Sequence, residues 1–139
     1  MTKPLILIVD DEPEIAQLVS EVAYEIGIAS ETAGSAKAFM RHYETLHPSG
    51  IVMDLVMPDM DGIELVQWLA ERDCDVPILL MSGFNPSYAD ALVEIAKANN
   101  IRISDRLTKP VGIEKLEAAL LALVSASAEA VSTSSGTVR

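Results

Sequence analysis

Ile51-Val52-Met53 runs without a polar break into a single carboxylate, Asp54, and Pro58 and Gly62 then interrupt the chain before the next helical pattern. A continuous apolar run of this kind suits a strand covered on both faces, as in a parallel sheet, rather than a half-exposed one. In open parallel sheets, ligands bind outside the carboxyl ends of the strands. Asp54 therefore stands at the edge where chemistry is done, and the other polar residues can be ranked by whether they reach it.

Leu5–Val9 is a second such run, followed by Asp10-Asp11-Glu12. Pro13 suits the first helical position, with an acid before it as N-cap, and Ile15, Leu18, Val19, Val22 and Ile26 recur at helical spacing up to Gly27. Ile28 to Thr32 reads as a short, weak strand. Ser35 can cap a second helix whose inner face carries Phe39, Met40, Tyr43 and Leu46, and Asp61 can cap a third that turns Ile63, Val66 and Leu69 inward. Val76 to Met81 is another buried strand, ending in Ser82-Gly83. Asn85-Pro86-Ser87 starts a fourth helix, and Asn99-Asn100 stops it. Ile101 to Thr108, of mixed polarity, reads as a strand near the sheet edge and ends at Lys109-Pro110. Ile113, Leu116, Leu120 and Leu123 mark a fifth helix.

From Ser125 the composition turns to Ser, Ala, Thr and Gly, so 1–124 is expected to form the ordered domain and 125–139 a flexible tail or linker. Five strand–helix units predict an α/β fold. The expected form is a doubly wound, five-stranded parallel sheet with right-handed crossovers and the flavodoxin-like strand order 2-1-3-4-5.

A net charge of −11 argues against direct nucleic-acid binding and against docking on anionic lipid. No apolar run approaches the length of a membrane span, and the Pro4–Val9 run is too short for a secretion signal. The lone Cys74 gives no disulfide framework. A cytoplasmic location is the expectation. Cys74, between two aspartates, is read as inert because acidic neighbours disfavour the thiolate. Trp68 is read as partly buried packing, and His42 and His47 as surface residues.

In the expected topology strands one and three are neighbours, so Asp10, Asp11 and Asp54 converge. Carboxylates gathered this way raise one another's pKa unless a cation joins them. Mg2+ suits such a set, since it takes oxygen ligands and is commonly held by one or two carboxylates plus a phosphate. Strand four brings the Ser82 hydroxyl to the same edge and strand five the Lys109 ammonium. Carboxylate, Mg2+, hydroxyl and ammonium together can accept a phosphoryl group, with Asp54 as nucleophile.

Asp10-Asp11 after an apolar strand, Asp54-Leu-Val-Met-Pro-Asp-Met-Asp-Gly62, Ser82-Gly83 and Lys109-Pro110, in that order, resemble the receiver domain of two-component response regulators over about residues 4 to 124. The resemblance implies a signalling domain rather than an enzyme. It also implies a histidine kinase or phosphotransfer protein as phosphoryl donor, and an output domain or target protein as reader. It makes the acid pair Asp10 and Asp11 the holders of Mg2+, adds the backbone carbonyl of Val56 as a ligand, and implies pairing of copies on phosphorylation as one outcome. Receivers usually carry an aromatic residue three positions before the lysine; here that position is Arg106. The stretch from Ala98 to Pro110 looks like receivers attached to cyclic-di-GMP phosphodiesterase (EAL) domains.

Lys97, Arg102 and Arg106 are expected on an exposed face of the fourth helix and fifth strand, where a partner would read the signal. Plainer readings stand beside these. Asp10-Asp11-Glu12 also suits a solvated helix start, Asp59 and Asp61 suit turn and cap positions, and Ser82 takes its weight from position alone. Two rival functions are a receiver-like adaptor that binds without phosphorylation, for which Arg106 leaves room, and an aspartate-nucleophile phosphohydrolase of the haloacid-dehalogenase type. The second wants an acid two residues after the nucleophile, where this chain has Val56.

Overall fold

In a computed structural model of the chain, residues 4–137 are described apart from 56, 58, 84 and 85, with side chains described through 126. The elements alternate as β1 (Leu5–Val9), α1 (Pro13–Glu25), β2 (Ala29–Ala33), α2 (Ala36–Leu46), β3 (Gly50–Asp54), α3 (Gly62–Glu71), β4 (Ile78–Ser82), α4 (Pro86–Ala98), β5 (Ile103–Thr108) and α5 (Ile113–Thr137). All the strand pairs are parallel, in the order β2-β1-β3-β4-β5. This is the doubly wound, flavodoxin-like arrangement expected from the sequence.

The apolar runs are continuous because successive residues face opposite cores. Leu7, Val9, Ile51, Met53, Ile78 and Leu80 pack with Phe39, Leu65, Leu69 and Leu92 from α2, α3 and α4. Ile6, Ile8, Val52, Leu79 and Met81 pack with Val19, Leu116, Leu120 and Leu123 from α1 and α5. Each such fully buried aliphatic side chain stabilises the fold by roughly 1.5–3 kcal/mol relative to exposure. A layer on both sides of the sheet leaves its strand ends as the open edges.

The helix boundaries follow local chemistry. Ser35 Oγ accepts from the Ala38 N–H at 3.2 Å and Asp61 Oδ1 from the Glu64 N–H at 2.9 Å, so both expected caps form. Gly27 ends α1 at φ 83°, a left-handed conformation that costs glycine nothing. Asn100, at φ 60°, takes the same role after α4.

Several boundaries differ from the sequence reading; β2, for one, spans Ala29–Ala33 rather than Ile28 to Thr32. β4 begins at Ile78 rather than Val76, because Pro77 has no N–H to donate and contributes only its carbonyl, to Ile51 N–H at 3.0 Å. β5 begins at Ile103 because the Ile101 N–H is spent closing α4 on the Ala96 carbonyl at 2.8 Å. α5 continues as helix to Thr137, past position 124 where the composition changes. The expected start of α4 at Asn85 lies outside the described residues; α4 begins at Pro86.

Candidate functional site: the carboxyl edge of the sheet

The register brings the polar strand ends together. Val9 pairs with Met53, so Asp10 and Asp54 come level as the next residues of β1 and β3. Asp54 pairs with Met81 and Ser82 with Thr108, which sets Ser82 one step and Lys109 two steps further along. The Lys109 N–H donates to the Ser82 carbonyl at 2.7 Å, so the two residues are joined through the backbone. Asp10 and Asp54 are the buried charged residues among those described, at 3% and 7% exposure. A buried carboxylate requires a partner, and the partner here is Lys109.

The Lys109 ammonium reaches back from β5 over the edge. Its Nζ lies 3.0 Å from Asp10 Oδ2, 2.9 Å from Glu12 Oε1 and 3.5 Å from Asp54 Oδ1. Asp10 also accepts from the Glu12 N–H at 2.9 Å, which fixes the turn into α1. Carboxylate oxygens of Asp10, Glu12 and Asp54 lie within 4.8 Å of one another.

The charges do not balance. Burial first, and then the charge of Asp10, push the Asp54 carboxyl up to about 7; Lys109 opposes them, and a hydrogen bond with Asp11 adds to the rise. Burial works to lower the Lys109 pKa, but hydrogen bonds to Glu12 and Asp10 and the charges of Asp10 and Asp54 outweigh it and hold the ammonium protonated. Among these four groups there are three carboxylates and one ammonium, so a cation with a preference for oxygen ligands would relieve the excess.

The structure thus gathers Asp10, Asp11, Asp54, Ser82 and Lys109 at one edge. Asp11, next to Asp10 in the chain, is exposed, while Glu12 joins the close carboxylate group. Val56, assigned a carbonyl role by the family resemblance, lies outside the described residues. From the sequence, Glu12 reads only as part of an acidic helix start. The signal that could have found it is its place before Pro13, since Glu is not among the residues that cap helices well.

Arg106, Arg102 and Lys97 are exposed, but the arginines are engaged. Arg106 Nη1 donates to Asp90 Oδ1 on α4 at 2.6 Å, and Arg102 Nη2 donates to the Asp75 carbonyl at 3.1 Å. Asp59 is a cap, yet of a helix other than its own: its carboxylate accepts from the Ala36 and Lys37 N–H groups at the start of α2, at 3.1 and 3.3 Å. Cys74 is buried, and burial is the largest cause raising its thiol pKa; the neighbouring Asp75 is a minor one. Trp68 packs edge-on against Phe39 and Tyr43, with the Arg72 guanidinium 3.7 Å from its ring centroid. Among the described residues no helix is long and apolar enough to cross a membrane.

The geometry can be set beside known proteins. The family described as the response regulator receiver domain matches residues 6–121. The transcriptional regulatory protein TctD of Salmonella typhimurium is 32% identical over 125 residues, covering 88% of this chain and 53% of that protein. The transcriptional regulatory protein TrcR of Mycobacterium tuberculosis is 28% identical over 119 residues, covering 86% of this chain and 44% of its own length. The chain therefore spans about half the length of these curated relatives. The receiver domain of the Francisella response regulator 1452 superposes with a TM-score of 0.77 at 27% identity, covering 88% of this chain and 98% of that one. The signal receiver domain of the putative LuxO repressor protein of Vibrio parahaemolyticus gives a TM-score of 0.83 at 18% identity, over 95% and 98% of the two chains, a likeness of fold.

Proposed function

The chain belongs to the response regulator receiver domain family, and from that premise we propose that it is a phosphoacceptor switch whose acceptor is Asp54. The observation that carries this is the position of Asp54: a buried carboxylate at the end of the central strand, with the Lys109 ammonium 3.5 Å away and Asp10 beside it. A carboxylate oxygen of Asp54 would attack phosphorus on a phosphohistidine donor. An O–P bond forms as the N–P bond breaks, and the imidazole nitrogen keeps the electron pair and takes a proton. Lys109 would hold charge on the transferred oxygens, and the Ser82 hydroxyl would donate to one of them.

The surplus of carboxylates over ammonium groups at the site, and the upward push on Asp54, support a fit to Mg2+. Asp10, Asp11, Asp54 and the Val56 carbonyl are the residues we assign to hold it. When bound, the ion supplies charge neutralisation to the transferring oxygens.

Residues 1–124 would act as the receiver and 125–139 as a tail or linker. The donor would be a histidine kinase or phosphotransfer protein in the cytoplasm, and the reader an output domain or target protein at the face of Lys97, Arg102 and Arg106. Copies would pair on phosphorylation. The likeness to receivers attached to EAL domains rests on the sequence alone. The test is incubation with acetyl phosphate and Mg2+. We expect stoichiometric, base-labile label; its absence with every protein donor tried would leave the phosphorylation-independent adaptor, and steady release of phosphate from small monoesters would point to a phosphohydrolase.

A further inference from the structure

We propose that Glu12 is a positioning residue that draws Lys109 toward the start of α1 until a phosphoryl group arrives on Asp54, a role that rests on the phosphoacceptor reading above. Glu12 occupies the N-cap position of α1, yet its side chain makes no cap hydrogen bond. Its Oε1 instead accepts from Lys109 Nζ at 2.9 Å, across 97 residues of sequence. The backbone supports that aim, because the Glu12 N–H is fixed on Asp10 Oδ1 at 2.9 Å.

An ammonium has three donors. Lys109 spends one on Glu12 at 2.9 Å and one on Asp10 at 3.0 Å, while its contact with Asp54, at 3.5 Å, is the longest of the three. The resting lysine therefore favours the start of α1 over the acceptor.

The two partners differ in what their release costs. The Asp10 side chain is 2% exposed, and stripping it of Lys109 would leave a buried charge unpaired. The Glu12 side chain is 54% exposed, and water replaces the lost contact. Glu12 is thus the partner that Lys109 can give up. When Asp54 carries a phosphoryl group, its oxygens take the lysine and Glu12 turns to solvent. Each return of Lys109 to Glu12 loosens its hold on the phosphoryl group. Glu12 would then slow acceptance and shorten the lifetime of the phosphorylated state, acting through Lys109 and never touching the reacting atoms.

The experiment uses the full chain and compares Glu12→Gln, Glu12→Asp and, as a charge control, Glu14→Gln on the exposed first turn of α1. Two quantities are read: the rates of label gain and loss with acetyl phosphate, and the Mg2+ dissociation constant by calorimetry without phosphoryl donor. Melting temperatures verify folding. The expected result for Glu12→Gln is gain faster and loss slower by about two- to fivefold, the rate ratio of a partly exposed ion pair. Its Mg2+ affinity should stay within about twofold of wild type, a shift well under one ion pair's worth. Glu12→Asp should lie between the two, and Glu14→Gln should match wild type. Rates for Glu12→Gln equal to wild type would overturn the proposal. So would an equal gain in Glu14→Gln, which would mean bulk charge alone, or a large loss of Mg2+ affinity, which would make Glu12 a ligand. A wild-type chain that takes no label removes the phosphoacceptor reading itself, and this proposal with it.

Discussion

Arg106 Nη1 lies 2.6 Å from Asp90 Oδ1, so the cation that stands three positions before Lys109 is tied across to α4. Both side chains are substantially exposed, which limits the pair's contribution to stability to about 0–1 kcal/mol. Its consequence is for recognition: a partner that uses Arg106 must compete with Asp90.

Arg106→Glu should weaken partner binding by roughly tenfold, about 1.4 kcal/mol, without abolishing phosphorylation. Combining it with Asp90→Arg restores an ion pair between β5 and α4 but leaves the reversed charge on β5. The double variant should regain stability and not binding. Binding by calorimetry against the output partner checks this; unchanged affinity in Arg106→Glu would remove the face from the account.

The pH dependence of stability follows from Asp54. Its folded-state pKa is raised from 3.8 to about 7, so between those values the folded chain holds a proton that the unfolded chain releases. The contribution of this group is therefore fully present below about pH 4 and is lost as pH rises through 7. Asp54→Asn should be more stable than wild type by on the order of 1–3 kcal/mol at pH 8, with the difference vanishing near pH 4. Mg2+ should stabilise wild type more than the variant at pH 8. Urea unfolding at both pH values, with and without Mg2+, makes the comparison.

Asp59 links the loop after Asp54 to the start of α2. Asp59→Ala should cost about 1 kcal/mol, because two N–H groups of α2 lose their acceptor. Backbone hydrogen bonding, chiefly from Ala36, lowers the Asp59 pKa, so its share of stability is present above the unfolded pKa and disappears as pH falls through the folded one. Thermal melts at neutral and low pH should show the Asp59→Ala deficit narrowing on acidification.

A Cβ on Gly62 would lie 2.8 Å from Leu92 Cδ1 and 2.9 Å from the Leu55 carbonyl oxygen. The side chain could shift, but the Leu55 backbone is held by the Gly62 N–H at 2.8 Å. Gly62→Ala should destabilise the fold by about 1–3 kcal/mol. Chemical denaturation measures this, and a neutral effect would mean the loop after Asp54 is looser than the contact implies.

The legible parts were those written in local pattern. Uninterrupted apolar runs at Leu5–Val9 and Ile51–Met53 announced strands with a core on each side, and the strand order followed from five βα repeats. Ser35, Asp61 and the Asn99-Asn100 pair cap or end their helices as their chemistry suggested. What stayed hidden were the long-range partners outside the convergence of Asp10, Asp54 and Lys109. Glu12 on Lys109, Asp59 on α2 and Asp90 on Arg106 are choices among nearby acids in a chain rich in them, and only the packed chain settles which acid is within reach. The strand starts were misplaced by residues whose N–H groups were missing, as at Pro77, or already used, as at Ile101.

The central claim is that Asp54 accepts the phosphoryl group, and the most direct measurement is to locate it. The full chain and Asp54→Ala would be phosphorylated with acetyl phosphate and Mg2+, reduced with borohydride, which converts an acyl phosphate to homoserine, and mapped by peptide mass spectrometry. The account predicts homoserine at position 54 in the wild-type chain and no modified peptide in the variant. Modification at Asp10, Asp11 or Glu12 instead, or undiminished label in Asp54→Ala, would contradict it.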